Sequence, residues 1–414
     1  MRFRGAPMLS VPLLTTLLAL AGSARAQVLG PVQRSLPNLP VPGMPLPVAV
    51  PTVNPQGIDD LLRRPLALTL KMQVDALRRR EPRRVDLDPH GAAILRGQFL
   101  ALDLSDAQLA AVQALGFGVD REAATDATLG LDFIVLHDNR GRSTRDAMRA
   151  LQQAAPGASF TYQHLYLPAG DVDAAAAASS TVPPPGAAVR SVGMVDGGVD
   201  PSDPALAHAQ VEAHGCGTKN TSRHGTAVAA RLVAGDTDTL YAADLWCADQ
   251  VGGATSKLVD ALAWMDRERV AVINISLVGP DNPVLARAVQ AMLARGHVLV
   301  GAAGNDGPAA PPLFPAAYPG VIGVGAVDTR GRVLPESASG KQVAFCATGV
   351  VGSGRDRLRG TSFAAPIVAR KAARLLDAPG PGAAPRVLQE LIGEAHPFGS
   401  TGRGPHCGYG VLSP

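Results

Sequence analysis

From residue 189 onward the chain alternates short β-branched runs with longer stretches whose apolar residues recur at helical spacing. The runs 190–196 (RSVGMVD), 240–246 (LYAADLW), 270–277 (VAVINISL), 298–304 (VLVGAAG) and 321–327 (VIGVGAV) read as strands. The stretches 226–234 (TAVAARLVA), 258–267 (LVDALAWMDR) and 284–296 (VLARAVQAMLARG) read as helices. Strands alternating with helices predict a parallel sheet covered on both faces. In such folds a site is expected at the carboxyl ends of the strands.

A different pattern occupies 97–168. The segment 98–104 (QFLALDL) alternates as a strand, and Ser105 is placed to cap a helix over 106–115 that stops at Gly116. Strands are predicted at 117–122 and 131–137. A second helix, 145–154, starts at Ser143 or Thr144 and ends before Pro156-Gly157, and a last strand covers 159–167. The order β-α-β-β-α-β predicts a small α+β, ferredoxin-like unit. Around it lie Pro-punctuated and Arg-rich sequence at 27–96 and a small-residue tether at 169–186. Neither is expected to add to a core, and the Arg run at 78–84 reads as a solvated, partly helical stretch.

Composition adds three constraints. Hydrophobic residues make up 46% and charged residues 18%, which excludes a wholly disordered chain. The net charge of +3 is spread along the chain, so no nucleic-acid partner is implied. Arg2 and Arg4, the apolar run 13–20 and Ala24-Arg25-Ala26 form an export signal over 1–26, too short to span a bilayer. The expected location is therefore secreted or periplasmic, with no membrane span.

In an oxidising compartment the four cysteines favour disulfides, and three pairings are open. Cys216 and Cys247 both lie near the His224 segment in sequence, which favours pairing them and leaves Cys346 with Cys407. Zinc is disfavoured, because no C-x-x-C pair exists and His406-Cys407 is poor ligand spacing.

Four polar residues stand at predicted strand ends or helix starts. Asp196 ends an apolar strand before two glycines, and His224 opens a helix in HGTAVA. Ser362 opens another in GTSFAAP, and Asn305 follows a strand in AAGND. Together they suit acyl transfer. A serine hydroxyl needs a base, an imidazole needs a carboxylate to fix its tautomer, and the tetrahedral intermediate needs donors for its oxyanion. Singly each has an ordinary reading, as a turn residue or a cap.

Jointly, the segments resemble the subtilisin-like serine proteases (subtilases) over roughly 187–414. The resemblance implies catalytic roles for Asp196, His224 and Ser362 and an oxyanion role for Asn305. It implies substrate binding along Gly252-Gly253 and Ser276-Leu277-Val278 and at Gly304 and Leu313, with Leu313 at the base of the first specificity pocket. Polypeptide substrates are expected, paired as an extended strand between 252–254 and 276–279. Leu313 stands where small residues are common, which implies a shallow pocket for small or medium side chains. The unit 97–168 is similar to the family's propeptide, an intramolecular chaperone and inhibitor. Its ending, His164-Leu165-Tyr166, resembles the propeptide end of bacterial subtilisins, which implies autocleavage after Tyr166.

Some positions depart from the family. Gly197 stands where Ser or Thr usually supports the aspartate, so one hydrogen bond to the carboxylate is expected to be missing. Ala227 replaces a common second histidine, and Arg370 a common glycine. No organic cofactor is implied. Calcium is common in the family, but no carboxylate cluster suggests a site. Two other functions fit the same residues: a peptide-binding protein with an idle triad, and a general esterase.

Overall fold

The computed structural model describes residues 69–120, 129–170, 189–216, 220–234, 237–352, 357–399 and 402–414. All of them lie in one compact unit, Pro65–Pro414. The predicted export signal and the residues 171–186 of the tether fall outside them.

Order begins earlier than the pattern suggested. A helix, Leu70–Arg80, starts on the Thr69 side chain and buries Val74 and Leu77. It is followed by β1 (Val85–Leu87) and β2 (Ala93–Leu102). All three begin inside the stretch read as linker. The helix was hard to see because its buried side is narrow and its last turn is three arginines.

The rest of the small unit follows the predicted order. Ser105 and Gln108 form a reciprocal capping box for the helix Asp106–Ala114. Then come β3 (Phe117–Asp120), β4 (Phe133–Asp138), the Ser143-capped helix Thr144–Ala154, and β5 (Ser159–His164). The sheet is antiparallel in the order β5-β2-β4-β3, with β1 beside the start of β2. Phe99, Leu136, Val112 and Leu151 fill the space between this sheet and its helices. A two-residue strand, β6 (Leu167–Pro168), follows β5 and leaves the sheet.

The larger layer is a seven-stranded sheet. Its members are β7 (Val189–Asp196), β8 (Gln210–His214), β9 (Thr237–Asp244) and β10 (Val272–Ile275), then, after the short β11 (Leu277–Val278), β12 (Val298–Ala302), β13 (Ile322–Val327) and β14 (Val343–Thr348). The order β14-β13-β12-β10-β7-β9-β8 is parallel throughout. Side-chain alternation sorts neighbours to opposite faces. Met194, Val272 and Val300 join one core cluster with the helices Arg223–Val233 and Thr361–Ala373. Val195, Ile273 and Leu299 join a second cluster with the helices Thr255–Arg267 and Pro283–Ala294. A sheet apolar on both faces explains why its strands read as continuous apolar runs. The edge strand β8 (QVEAH) was not predicted, because it is only partly buried and carries a charge.

Disulfides join Cys216 to Cys247 and Cys346 to Cys407, with Cα–Cα distances of 5.1 and 4.8 Å. The first ties the loop after β8 to the turn after β9, and the second ties β14 to the chain's last segment.

The small sheet packs on the helices Thr255–Arg267 and Pro283–Ala294. Leu100, Leu102 and Val135 share a cluster with Leu258, Leu262 and Val284. The Gln163 amide exchanges two hydrogen bonds with Ser256. The Asn282 amide nitrogen donates to Tyr162 O and meets His164 Nδ1 at 2.9 Å. Arg84 grips Asp249 with two hydrogen bonds of 2.7 and 2.6 Å. Among the described residues no helix is long and apolar enough to cross a membrane.

Candidate active site

The polar residues singled out in the sequence converge at the carboxyl end of the parallel sheet. Asp196 is the last residue of β7. Its Oδ1 lies 2.8 Å from His224 Nδ1 and accepts the Gly197 N–H at 2.7 Å. His224 stands in the first turn of the helix Arg223–Val233, whose start is fixed by the Ser222 hydroxyl accepting from Gly225 N. Gly225 is needed there, because a Cβ would strike the Gly197 carbonyl. With Nδ1 facing the carboxylate, the imidazole is held with Nε2 turned away, and Nε2 has no hydrogen-bond partner. Asp196 and Ser362 are fully buried and His224 nearly so.

Ser362 is the second residue of the helix Thr361–Ala373. Gly360, at φ 143°, precedes it and offers no side-chain cap, so the first-turn N–H groups are free for other acceptors. Thr361 N and Oγ1 both donate to Asn305 Oδ1, at 3.0 and 3.2 Å. That fixes the amide orientation and turns Nδ2 toward the helix start. The Ser362 hydroxyl donates to Ser276 O at 3.1 Å, and the Ser276 hydroxyl donates back to Ser362 O at 3.0 Å.

Between these groups lies the chain's own tail. β6 pairs antiparallel with β11, Leu167 opposite Val278 and Pro168 opposite Leu277. On its other side Tyr166 N donates to Gly253 O at 2.8 Å, and Leu165 bridges to Ala254. Ala169 N donates to Ser276 O at 3.0 Å. The Ala169 carbonyl then receives two hydrogen bonds, from Ser362 N at 3.0 Å and from Asn305 Nδ2 at 2.5 Å. Gly170 follows directly. A Cβ on it would stand 3.2 Å from His224 Nε2 and 3.3 Å from Ser362 Cβ. Gly360 is required on the other side, where a Cβ would come within 2.9 Å of Ala169 O and of Gly170 Cα.

The backbone of residues 165–169 is therefore paired on both sides, and this places the remaining predicted residues. Gly253, Ser276, Leu277 and Val278 supply the pairing partners, while Gly252 packs its backbone on the Trp246 ring. Gly304, at φ 109°, donates to Thr361 Oγ1, and Leu313 packs against its α-carbon. Ala169 is buried in the same cluster as Leu313 and Val278. Tyr166 is fully buried, its hydroxyl donating to Pro280 O at 2.8 Å, and burial pushes the phenol pKa well up. Gly279 leaves room for that ring, since a Cβ would stand 2.6 Å from it.

Residues 189–410, more than half of the chain, match the Peptidase_S8 pattern, described as the subtilase family. The chain belongs to the subtilase family. It is 30% identical to subtilisin of Bacillus pumilus over 210 residues, covering 45% of this chain and 76% of that one. It is 35% identical to subtilisin DY of Bacillus licheniformis over 173 residues, covering 37% and 63%. Of subtilisin J from Geobacillus stearothermophilus it spans 55%, at 30% identity. Fervidolysin from Fervidobacterium pennivorans, a keratinolytic enzyme related to subtilisin, shares the fold with TM-score 0.63 over 80% of this chain and 61% of that one, at 19% identity. This subtilase is a serine-type endopeptidase by family.

The expected cut after Tyr166 does not agree with the geometry. Tyr166 stands in its own pocket, and Ala169 is the residue whose carbonyl meets both donors. Beyond the motif 164–166 the tail runs three residues further into the cleft before its backbone meets Ser362. Gly197 now has a steric reason: a Cβ there would stand 2.7 Å from Ser222 Cβ. Asp196 Oδ2 accordingly has no hydrogen-bond partner, as the missing hydroxyl implied. Ala227 is buried in the core of this subtilase.

The sequence reading missed the cover on the tail. In the helix Leu70–Arg80, Val74 and Leu77 pack with Leu165, Leu167, Val251 and Ala254. Gln73 Nε2 donates to Pro168 O at 3.2 Å, and Leu70 N to Asp306 Oδ1 at 2.6 Å. Burial raises the Asp306 pKa, which the bond from Leu70 opposes.

Proposed function

We propose that this subtilase is made as a self-inhibited precursor that hydrolyses peptide bonds through Asp196, His224 and Ser362. Its first substrate is its own Ala169–Gly170 bond. The observation that carries this reading is the Ala169 carbonyl, held by Ser362 N and Asn305 Nδ2 with Gly170 beside His224 Nε2 and Ser362 Cβ.

The chemistry follows from these positions. The Ser362 hydroxyl turns from Ser276 O to His224 Nε2, and its oxygen attacks the Ala169 carbonyl carbon as the imidazole takes the proton. The charge that develops on the carbonyl oxygen falls on the two donors already aimed at it. Asp196 stabilises the imidazolium through Nδ1. His224 then returns the proton to the Gly170 nitrogen as the C–N bond breaks, leaving an ester at Ser362. Water, deprotonated by the same imidazole, releases the carboxyl end at Ala169. No organic cofactor takes part in these steps.

Residues 69–169 act as the inhibitor after the cut, because the tail keeps its main-chain pairing and the helix Leu70–Arg80 holds it down. Other polypeptides bind afterwards by the same strand addition. The Leu313 wall against Gly304 favours small residues such as Ala at the cleaved position. The paired cysteines fit an oxidising location outside the cytoplasm. Main-chain pairing over residues 165–169 favours peptides over simple esters.

The test is turnover of a quenched peptide carrying Tyr-Leu-Pro-Ala-Gly, beside a simple alkyl ester, by wild type and by Ser362→Ala. Cleavage between Ala and Gly by wild type alone is expected. Peptide binding without cleavage would support the idle-triad reading, and turnover of the ester alone would support an esterase.

A further inference from the structure

A cavity of about 450 Å³ lies against the amino ends of β13 and β14, the opposite end of the large sheet from Ser362. Buried Ala316, Ile322 and Ala344 line it, with Tyr409 and with Leu388 from the helix Ala383–Glu394. Pro312, Pro319 and Pro385 line its exposed margin. Its charged residues are Lys341 and Arg403, and among the described residues no Asp or Glu lines it. Two cations thus border an apolar space without an acid to neutralise them.

Arg403 is fixed in place. Its Nη2 donates to Lys341 O at 2.5 Å and Val343 O at 3.4 Å, and its guanidinium stands 5.0 Å from the centre of the Tyr409 ring. The turn that follows it is pinned to the start of β14. Gly404 N donates to Gly408 O at 2.8 Å and Gly340 N to Pro405 O at 2.7 Å. The Ser339 hydroxyl meets His406 Nδ1 at 2.8 Å, and Cys407 is bridged to Cys346. Both hydrogen bonds of the guanidinium run through Nη2, so its Nε and Nη1 edge keeps donors for another acceptor. A cation already ordered by its surroundings loses little freedom when it binds an anion.

We propose that this cavity binds a hydrocarbon carboxylate, a fatty acid of about ten carbons, with its head on Arg403 and Lys341. Volume and lining match an apolar ligand body held by a few polar groups. A planar carboxylate suits the free edge of a guanidinium, and Lys341 adds a second positive charge. The walls select hydrocarbon over peptide. A peptide would bury N–H and C=O groups, and three of the lining residues are prolines, which have no N–H to offer a carbonyl. Binding there needs no catalysis, since the site shares no residue with Asp196, His224 or Ser362.

The experiment is isothermal titration of the full-length protein with decanoate, decan-1-ol, decylamine and the peptide acid acetyl-Leu-Leu-Ala, each below the concentration at which it forms aggregates. One saturable decanoate site is expected, at least about tenfold tighter than for the alcohol or the amine, the scale of a charge-assisted contact at a part-exposed cation. Arg403→Gln with Lys341→Gln, both exposed positions, should bring decanoate down to the level of the alcohol. Equal affinity for the three alkyl ligands, or no saturable site, overturns the assignment without need of any variant. So does a decanoate preference that survives the double substitution in a protein of unchanged melting temperature. Binding of the peptide acid in place of decanoate overturns the choice of hydrocarbon.

Discussion

The two sides of the cleft around Ala169 are finished differently. On the Ser362 side the groups that meet the tail are bonded to one another. Asn305 bonds Thr361 and Ala169, Ser276 bonds Ser362 and Ala169, and the helix N-terminus is spent on the Ala169 carbonyl. On the Asp196 side, Asp196 Oδ2 and His224 Nε2 are buried without a partner. The tail is thus gripped by its backbone and by two donors at one carbonyl, while Asp196 Oδ2 and His224 Nε2 meet no donor or acceptor. On the proposed reading, an inhibitor held by main-chain pairing blocks the cleft whatever side chains a competing substrate carries.

Substitutions on each side test this contrast. The largest effects are expected at the three groups proposed to carry the reaction. Ser362→Ala or His224→Ala should lower kcat on peptides by about 10⁶, and Asp196→Asn by about 10⁴, in steady-state assays. An Asp196→Asn loss as small as tenfold would detach the carboxylate from the reaction. On the donor side, Asn305→Leu should reduce kcat by about 10²–10³ with KM little changed, because the donor acts on charge that develops only in the transition state. An effect confined to KM would make Asn305 a ground-state contact.

The cover on the tail contributes less. Val74→Ala with Leu77→Ala removes methyl groups from the cluster over Leu165 and Leu167. At about 0.8 kcal/mol per buried carbon the change removes roughly 4 kcal/mol of packing, part of it against the tail, so it should shorten the lag between self-cleavage and full peptide hydrolysis by at least about ten-fold. An unchanged lag would mean that the helix does not hold the tail.

The smallest effect is expected at Arg84–Asp249. The Arg84 hydrogen bond holds the Asp249 carboxyl below the usual carboxylate range. A depressed folded-state pKa contributes stability that is present above the ordinary value, near 4, and is lost as pH falls through the lowered one. Both side chains are nearly half exposed, so the pair is worth under about 1 kcal/mol. Arg84→Gln should shorten the lag only a few-fold at neutral pH, and the difference from wild type should vanish under strongly acid conditions. A lag difference that grew on acidification would contradict the sign.

How much of this was legible in the sequence depends on what fixed each feature. Strands β7, β9, β10, β12 and β13 announce themselves because burial on both faces demands continuous apolar runs. The edge strand β8 does not, since nothing requires its side chains to be apolar. Asp196, His224, Asn305 and Ser362 were readable because each stands next to small residues that let backbones approach, as at Gly225 and Gly360. Gly197 looked like a defect in sequence alone, whereas Ser222 occupies the space a side chain would need. Ala169 and Gly170 could not be read, because their place is set by the register of β6 on β11. Local sequence shows only small residues at the head of an Ala-rich tether.

The most direct test is the N-terminus of the mature protein. Intact mass and N-terminal sequencing of wild type and Ser362→Ala should give Gly170 as a new terminus in the wild type. In Ser362→Ala the Ala169–Gly170 bond should remain whole. A wild-type terminus at another residue, or the same cut in both proteins, would contradict self-cleavage at the carbonyl held by Ser362 and Asn305.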